Sequence, residues 1–245
     1  MTRIPELRVI IEAEAHSGAW NMAVDEALLE TAIADGVATL RWYQWSEPTV
    51  SLGYFQKSAE LTGDQLLSQL PAVRRLSGGG AILHDDELTY SVALPANQKL
   101  FERPEQLYDI VHEAIVGSLR EMGFPVSLRG QTLKRADEPL LCFLRQDSHD
   151  LTLGGSKVLG SAQRRRRGAI LQHGSLIRRA SPMAMQLPGL TDLCTAKVPD
   201  DLATRFTVRV AESLAETWKM GALTTDEMEM AIRLCKQSRA DVRHR

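Results

Sequence analysis

A cysteine, Cys142, lies between Leu141 and Phe143, and a lysine, Lys157, follows beyond a polar stretch and a Gly154-Gly155 pair. A free thiol has a reference pKa of ~8.5 and is only slightly ionised at neutral pH; a neighbouring ammonium or a helix N-terminus lowers it by one to several units and makes a thiolate nucleophile. The bland reading is as concrete, since free cysteine is among the most buried residue types and packs as a small hydrophobe. Spacing alone leaves both open. Upstream, Gly78-Gly79-Gly80 can take left-handed angles and let a ligand lie against peptide N–H groups, or can simply turn a hairpin. Arg74, Arg75 and Ser77 precede these glycines, and His84, Asp85, Asp86 and Glu87 follow the apolar step Ala81-Ile82-Leu83. The pattern is not the dinucleotide fingerprint, which needs a helix straight after its glycines, nor a P-loop, which needs Gly-Lys-Ser/Thr.

The surrounding periodicity says what positions these groups. Leu88, Tyr90, Val92 and Leu94 alternate with Thr89, Ser91 and Ala93, which predicts a strand with one buried face after the glycine turn. Earlier, Leu7 to Ile11 reads as a strand. Ser17 caps a helix through AWNMAVDEALLETAIAD that Gly36 stops, and the adjacent Asp25 and Glu26 are expected on its solvated face. Ala38 to Tyr43 and Thr49 to Gly53 read as strands. Trp42, Tyr43 and Trp45 between them are core filling or the wall of an apolar tunnel, with Gln56 as a polar handle at its mouth. A helix is expected around Leu61 to Leu70, stopped by Pro71. An amphipathic helix after Pro104 puts Leu107, Ile110, Val111, Ala114, Ile115 and Leu119 on one stripe, with His112 in a structural role. Gly130 to Pro139 reads as a polar loop leading to Cys142. Asp150 to Leu153 and Ser156 to Leu159 form a hairpin through Gly154-Gly155, and Ala169 to Ile177 is a further strand. The run Arg164 to Arg167 sits where the intervening hairpin turn is expected. It is either a solvated turn or a basic edge that speeds the approach of acidic partners. Helices are expected around Leu202 to Met220 and Thr225 to Leu234. The organisation is one mixed α/β domain over residues 1–180, completed by a helical segment over 181–245.

Composition sets the outer limits. A chain of 245 residues with 44% hydrophobic and 24% charged residues is ordinary for a globular protein. A formal charge of −2 argues against nucleic acid as a partner. Cys142, Cys194 and Cys235 are odd in number and lack CxxC spacing, so neither a disulfide framework nor a metal site is expected. No apolar run is long enough to span a bilayer, and the charge-punctuated start MTRIPELRVIIEAEAH lacks the apolar centre of a signal peptide, which places the protein in the cytoplasm.

The string RRLSGGGAILHD resembles the RR-x-(S/T)-GG-x-x-(V/L)-H-D signature of the biotin/lipoate protein ligase and lipoyl-pathway acyltransferase superfamily. NMAVDEAL resembles that family's helix beside the ligand pocket, and SLGYFQ its S-L-G-x-x-Q element facing the bound ligand. The run from Cys142-Phe143 through LTLGGSKVLGSAQRR and GAILQHGS is similar to the cysteine-dependent octanoyltransferase branch, as is ELTYS where ATP-dependent ligases carry H-D-x-G-N-L. The likeness covers residues ~7–180. It implies a biotin/lipoyl ligase-like α/β (α+β) domain of largely antiparallel sheets flanked by helices. It also implies catalytic roles for Cys142 and Lys157, and substrate binding by Arg75, Ser77, Gly78, Gly79, Gly80, His84, Gln56, Gly160, Ser161, Ala162, His173 and Gly174.

The implied reaction is two-step acyl transfer in lipoate biosynthesis, from octanoyl-acyl carrier protein to Cys142 and then to a lysine of a lipoyl domain of a 2-oxoacid dehydrogenase or of the glycine-cleavage H protein. No cofactor and no metal would be needed, and a monomer is expected. Lys157 would hold the thiolate or bond the reacting oxygen, the glycine N–H groups would share that task, and His84 would relay a proton or serve structure. The alternatives are an octanoyl amidotransferase working from H protein, an ATP-dependent lipoate ligase that would use ATP and Mg, and a scaffold that only binds acylated carrier domains. In the ligase reading Arg74, Arg75 and the glycines would hold an adenylate phosphate.

Overall fold

The structure, a computed structural model, describes residues 3–96, 103–131 and 140–241, so positions 132–139 of the expected loop lie outside the described residues. The chain opens with strand β1 (Ile4–Ile11). Helix α1 (Gly18–Asp35) starts where the Ser17 hydroxyl accepts the Trp20 N–H and stops at Gly36, whose φ of 70° suits glycine. Strands β2 (Thr39–Tyr43) and β3 (Thr49–Leu52) follow. The helix expected around Leu61 to Leu70 is instead two 3-10 turns, Ser58–Gly63 and Leu67–Gln69. The Asp64 carboxylate accepts the N–H groups of Leu66 and Leu67, a local bond that competes with a continuous helix. Strands β4 (Ala72–Arg74), β5 (Ile82–His84) and β6 (Glu87–Leu94) bracket the glycines. Helix α2 (Glu105–Glu121) is followed by β7 (Ser127–Leu128) and a 3-10 turn at Cys142–Leu144. Then come β8 (Leu151–Leu153), β9 (Ser156–Arg166) and β10 (Ala169–Ile177), with Gly154 and Gly155 at positive φ between the first two.

The C-terminal part differs from expectation. After α3 (Leu190–Leu193), the helix expected from Leu202 to Met220 ends early as α4 (Leu202–Leu214), and its second half is strand β11 (Ala215–Met220), before α5 (Thr225–Asp241). No glycine or proline marks that change. Only pairing with β1, remote in sequence, makes Ala215–Met220 a strand.

Eight strands form one sheet in the order β11-β1-β2-β6-β10-β9-β8-β7, and three form a second, β4-β3-β5. Within the large sheet β1 runs parallel to both β11 and β2, and the other neighbours are antiparallel. Helices α2 and α4 cover one face, with Leu107, Val111, Ile115, Phe206 and Val210 against Leu40, Trp42, Tyr90 and Val92. Helices α1 and α5 cover the other, with Ala23, Ala27 and Leu28 among residues that include Ala93 and Leu171. Strand β6 is therefore buried on both faces rather than one. Its period of two records which helix pair each residue meets, not which side is wet. Full burial of each large apolar side chain here contributes about 1.5–3 kcal/mol.

Candidate active site

The centre of the sheet presents small and polar side chains to α1 and the second sheet, and a narrow cleft opens there, with about 410 Å³ of empty space when its solvent-open mouth is included. Register explains its shape. Tyr43 pairs with Thr89, Thr89 with Ser175, and Ser175 with Gly160, so one transverse row crosses β2, β6, β10 and β9. All four residues line the cavity. Three strand spacings make this row roughly 14 Å long. Met22 of α1 joins Tyr43 at the β2 end, while Lys157, Cys142 and Phe143 line the cavity beside Gly160 at the β9 end.

Cys142 is held by the end of the glycine motif. Its N–H donates to the Ala81 carbonyl at 2.7 Å, and the Ala81 N–H donates to the Leu140 carbonyl at 2.9 Å. The Lys157 ammonium lies 3.5 Å from the Cys142 carbonyl, 2.8 Å from the Asp150 carboxylate and 5.2 Å from the centre of the Phe143 ring. Gly160 is glycine for a local reason: a Cβ there would sit 2.3 Å from the Lys157 Cε, so the lysine folds across it toward the cysteine. Asp150, a partner that motif matching did not supply, is pushed up by burial against the lowering effect of Lys157.

The glycines act less as a ligand cradle than as a packing device. None of Gly78, Gly79 and Gly80 lines the cavity. Arg75, buried and cavity-lining, donates to the carbonyls of Gly78 at 3.2 Å and Gly80 at 2.9 Å and to the Ser51 hydroxyl at 2.7 Å. Gly79, at φ 93°, faces Cys142: a Cβ built on it would lie 3.8 Å from the sulfur. Ser77 is also behind the cavity wall, bonded to His173 Nε2. Gln56 is not at the mouth; its side chain accepts the Gly53 N–H at 3.0 Å and so closes the turn after β3, while Arg74 donates to the Gly53 carbonyl at 3.0 Å.

Both pocket histidines are tied at both nitrogens. Ser51 accepts from Arg75, so its single proton goes to His84 Nε2 at 2.6 Å, leaving Nδ1–H to donate to Glu87 at 2.7 Å. Burial pulls His84 down against the Glu87 charge, and its ring stacks 3.7 Å from that of Trp45. His173 Nδ1 faces Asp25 at 3.4 Å, and Nε2 accepts from Ser77. Of the two roles weighed for His84, these bonds favour structure, with Glu87 and Ser51 as the partners.

Asp25 corrects the expectation of a solvated carboxylate pair. It is 1% exposed and accepts from Arg41 at 2.8 Å, Tyr43 at 2.9 Å and Ser91 at 2.8 Å besides His173. Burial opposes its ionisation, but the His173 bond and the Arg41 guanidinium outweigh that, and the carboxyl stays below its usual range. Glu26 takes the outward position and pairs with Arg166 at 2.9 Å. Trp42 belongs to the core beneath α4, whereas Tyr43 walls the cavity. His112, expected in a structural role, is buried. Its Nδ1–H donates to the His149 carbonyl at 2.6 Å and its Nε2 accepts from Ser161 at 2.6 Å beneath the cavity floor. The arginine run is not mainly a turn: Arg164, Arg165 and Arg166 belong to β9, and only Arg167 and Gly168, at φ 50° and 83°, turn the chain. The Arg164 guanidinium lies 4.7 Å from the centre of the Tyr54 ring. Among the described residues no cluster of His, Cys, Asp and Glu could hold a metal ion, and no helix is long and apolar enough to cross a membrane.

Residues 17–202 match the family model of the lipoyl protein ligase A/B catalytic domain. The chain is 35% identical to octanoyltransferase LipM of Clostridioides difficile, over 84% of this chain and 77% of that one. It is 34% identical to octanoyltransferase LipM of Kyrpidia tusciae, over 92% and 93%. In three dimensions it is similar to a bi-partite lipoate protein ligase from Thermoplasma acidophilum, with a TM-score of 0.73 at 20% identity over 95% of this chain and 93% of that one. At that identity the likeness is one of fold.

Proposed function

The chain belongs to the lipoyl protein ligase A/B catalytic-domain family, and from that premise we propose that it is an octanoyltransferase of lipoate biosynthesis that carries the acyl group on Cys142. The observation that carries the cysteine route is the convergence of Cys142 and Lys157 on one cavity, with the ammonium 3.5 Å from the cysteine's own carbonyl.

The Cys142 thiolate attacks the thioester carbonyl of an octanoyl group on acyl carrier protein, and the carrier thiolate leaves. The neutral amine of a target lysine, on a lipoyl domain or the glycine-cleavage H protein, then attacks the acyl-enzyme. An amide forms, the cysteine thiolate is regenerated, and the amine proton passes to the departed carrier sulfur or to solvent. The first exchange trades one thioester for another and is nearly neutral; amide formation is downhill, so no nucleotide enters the route. Lys157, paired with Asp150 at 2.8 Å, donates in this reading to the oxygen that gains charge in each tetrahedral intermediate. The octanoyl chain lies along the row Gly160, Ser175, Thr89 and Tyr43, with its tail toward Met22. The proposed setting is a monomer in the cytoplasm.

The test supplies octanoyl-acyl carrier protein and an apo lipoyl domain without nucleotide and follows the lipoyl domain by mass. Gain of one octanoyl group is the expected result. Modification that appears only when octanoate and ATP are supplied, with release of pyrophosphate, would assign the chain to the ligase reaction instead.

A further inference from the structure

Two cations approach Cys142, and they differ in what else they touch. Lys157 is 2.8 Å from the Asp150 carboxylate, so lysine and aspartate together present little net charge to the sulfur. Arg75 has no carboxylate partner among the described residues. Its hydrogen bonds run to neutral oxygens, those of the Ser51 hydroxyl and carbonyl and the carbonyls of Gly78 and Gly80. Its Nε is buried with no hydrogen-bond partner, and the residue is 2% exposed. An uncompensated guanidinium at that depth is costly unless an anion shares the site.

The Cys142 sulfur is close at hand. A Cβ built on Gly79 would lie 3.6 Å from Arg75 Nη2 and 3.8 Å from Cys142 Sγ, so guanidinium and sulfur flank one backbone position and are no farther apart than those two distances end to end. We infer that Arg75 supplies the charge that keeps the Cys142 thiolate ionised, while the Lys157–Asp150 pair serves the reacting oxygen. In keeping with this, burial pulls Arg75 down to about 10, and the strongest influence opposing that fall is the charge on Cys142. The arginine stays protonated at neutral pH.

The other groups around the sulfur do not supply this charge in the same way. His84 is pulled down by burial, and Tyr43 and Tyr108 are raised far above neutrality by burial, so these stay uncharged. His173 is engaged by Asp25 and Ser77. Arg145 adjoins Gly80. The glycine motif therefore has an electrostatic purpose: its turn brings the arginine before it to the cysteine some sixty positions later without a side chain between them.

This deepens the transferase reading, since it concerns the same sulfur, but its test does not depend on octanoyl chemistry. The rate of Cys142 alkylation by iodoacetamide is measured against pH for wild type, Arg75→Gln, Arg75→Lys and the double variant Lys157→Met with Asp150→Asn. A unit charge at such a distance in a partly buried site shifts a pKa by about one to two units. Arg75→Gln should raise the alkylation midpoint by that amount and Arg75→Lys should largely restore it. The double variant, which removes a neutral pair, should leave it within about half a unit. A midpoint that climbs fully in the double variant overturns the inference, even if Arg75→Gln does not fold, as does a wild-type midpoint in folded Arg75→Gln. Loss of octanoyl transfer with an unmoved midpoint would bear on the transferase reading, not on this one.

Discussion

The two long walls of the pocket are built in different ways. One is a sheet wall, in which Tyr43, Thr89, Ser175 and Gly160 are fixed by strand register and backed by the Asp25–Arg41 network. The other is a loop wall, in which the Cys142 N–H donates to the Ala81 carbonyl and the Ala81 N–H donates to the Leu140 carbonyl after the glycine turn. A ladder residue cannot shift without its neighbours, whereas a loop residue is set by a few bonds and can be reached by a second protein. In the proposed reaction the labour would divide accordingly: the rigid wall would measure the acyl chain, and the loop wall would carry the sulfur to a partner. Variants of the first should change stability or chain-length preference, and variants of the second should change rate.

The largest effect belongs to the sheet wall. Arg41→Met strips a buried guanidinium from Asp25 and Glu12, and loss of one partner of a buried pair costs about 3–5 kcal/mol. Denaturant unfolding should show that loss, and a stability within ~0.5 kcal/mol of wild type would mean the network is not what holds the wall. Next comes Lys157→Met, which should lower kcat by ~10²–10³ in the folded protein if the lysine donates in the transition state, and which should also lower the unfolding midpoint because Asp150 is left buried without its partner. A change confined to KM would place it in ground-state binding instead. His112 gives a pH signature of similar size beneath the floor. Burial brings it down to about 4 from an ordinary 6.5, so between those values the unfolded chain binds a proton that the native chain does not. Stability is full above pH 6.5 and falls through that window by up to the order of 3 kcal/mol. His112→Gln should flatten this fall, and an unchanged slope would assign it elsewhere. The smallest is Met22→Ala at the far end of the row: about a tenfold rise in preference for decanoyl over octanoyl donors, read as a ratio of kcat/KM.

Much of the site was legible because its residue types are unusual where they stand. Consecutive glycines after paired arginines, a cysteine beyond a loop, and Gly-Ser-Lys on a hairpin strand each narrow the chemistry without a structure. What escaped the sequence depends on partners distant along the chain. Asp25 looks like any helical carboxylate until Arg41, Ser91 and His173 converge on it from three strands. Asp150 gains meaning only when the hairpin folds Lys157 over Gly160. Gln56 matched the ligand-facing element by type yet closes its own turn, its side-chain oxygen taken by the backbone N–H of Gly53 three residues before it. Ala215–Met220 continued an amphipathic helix pattern, and only an open edge of β1 turned it into a strand. Local pattern therefore picked out several residues that the fold gathers around one cavity, and missed the network behind them.

The most direct test of the central claim is peptide mapping by mass after brief mixing with octanoyl-acyl carrier protein, with no acceptor present. The expected result is one octanoyl group on the peptide bearing Cys142, absent in Cys142→Ser, with Cys194 and Cys235 unmodified. An acyl group found elsewhere, or a Cys142→Ser protein that octanoylates lipoyl domains at the wild-type rate, would contradict it.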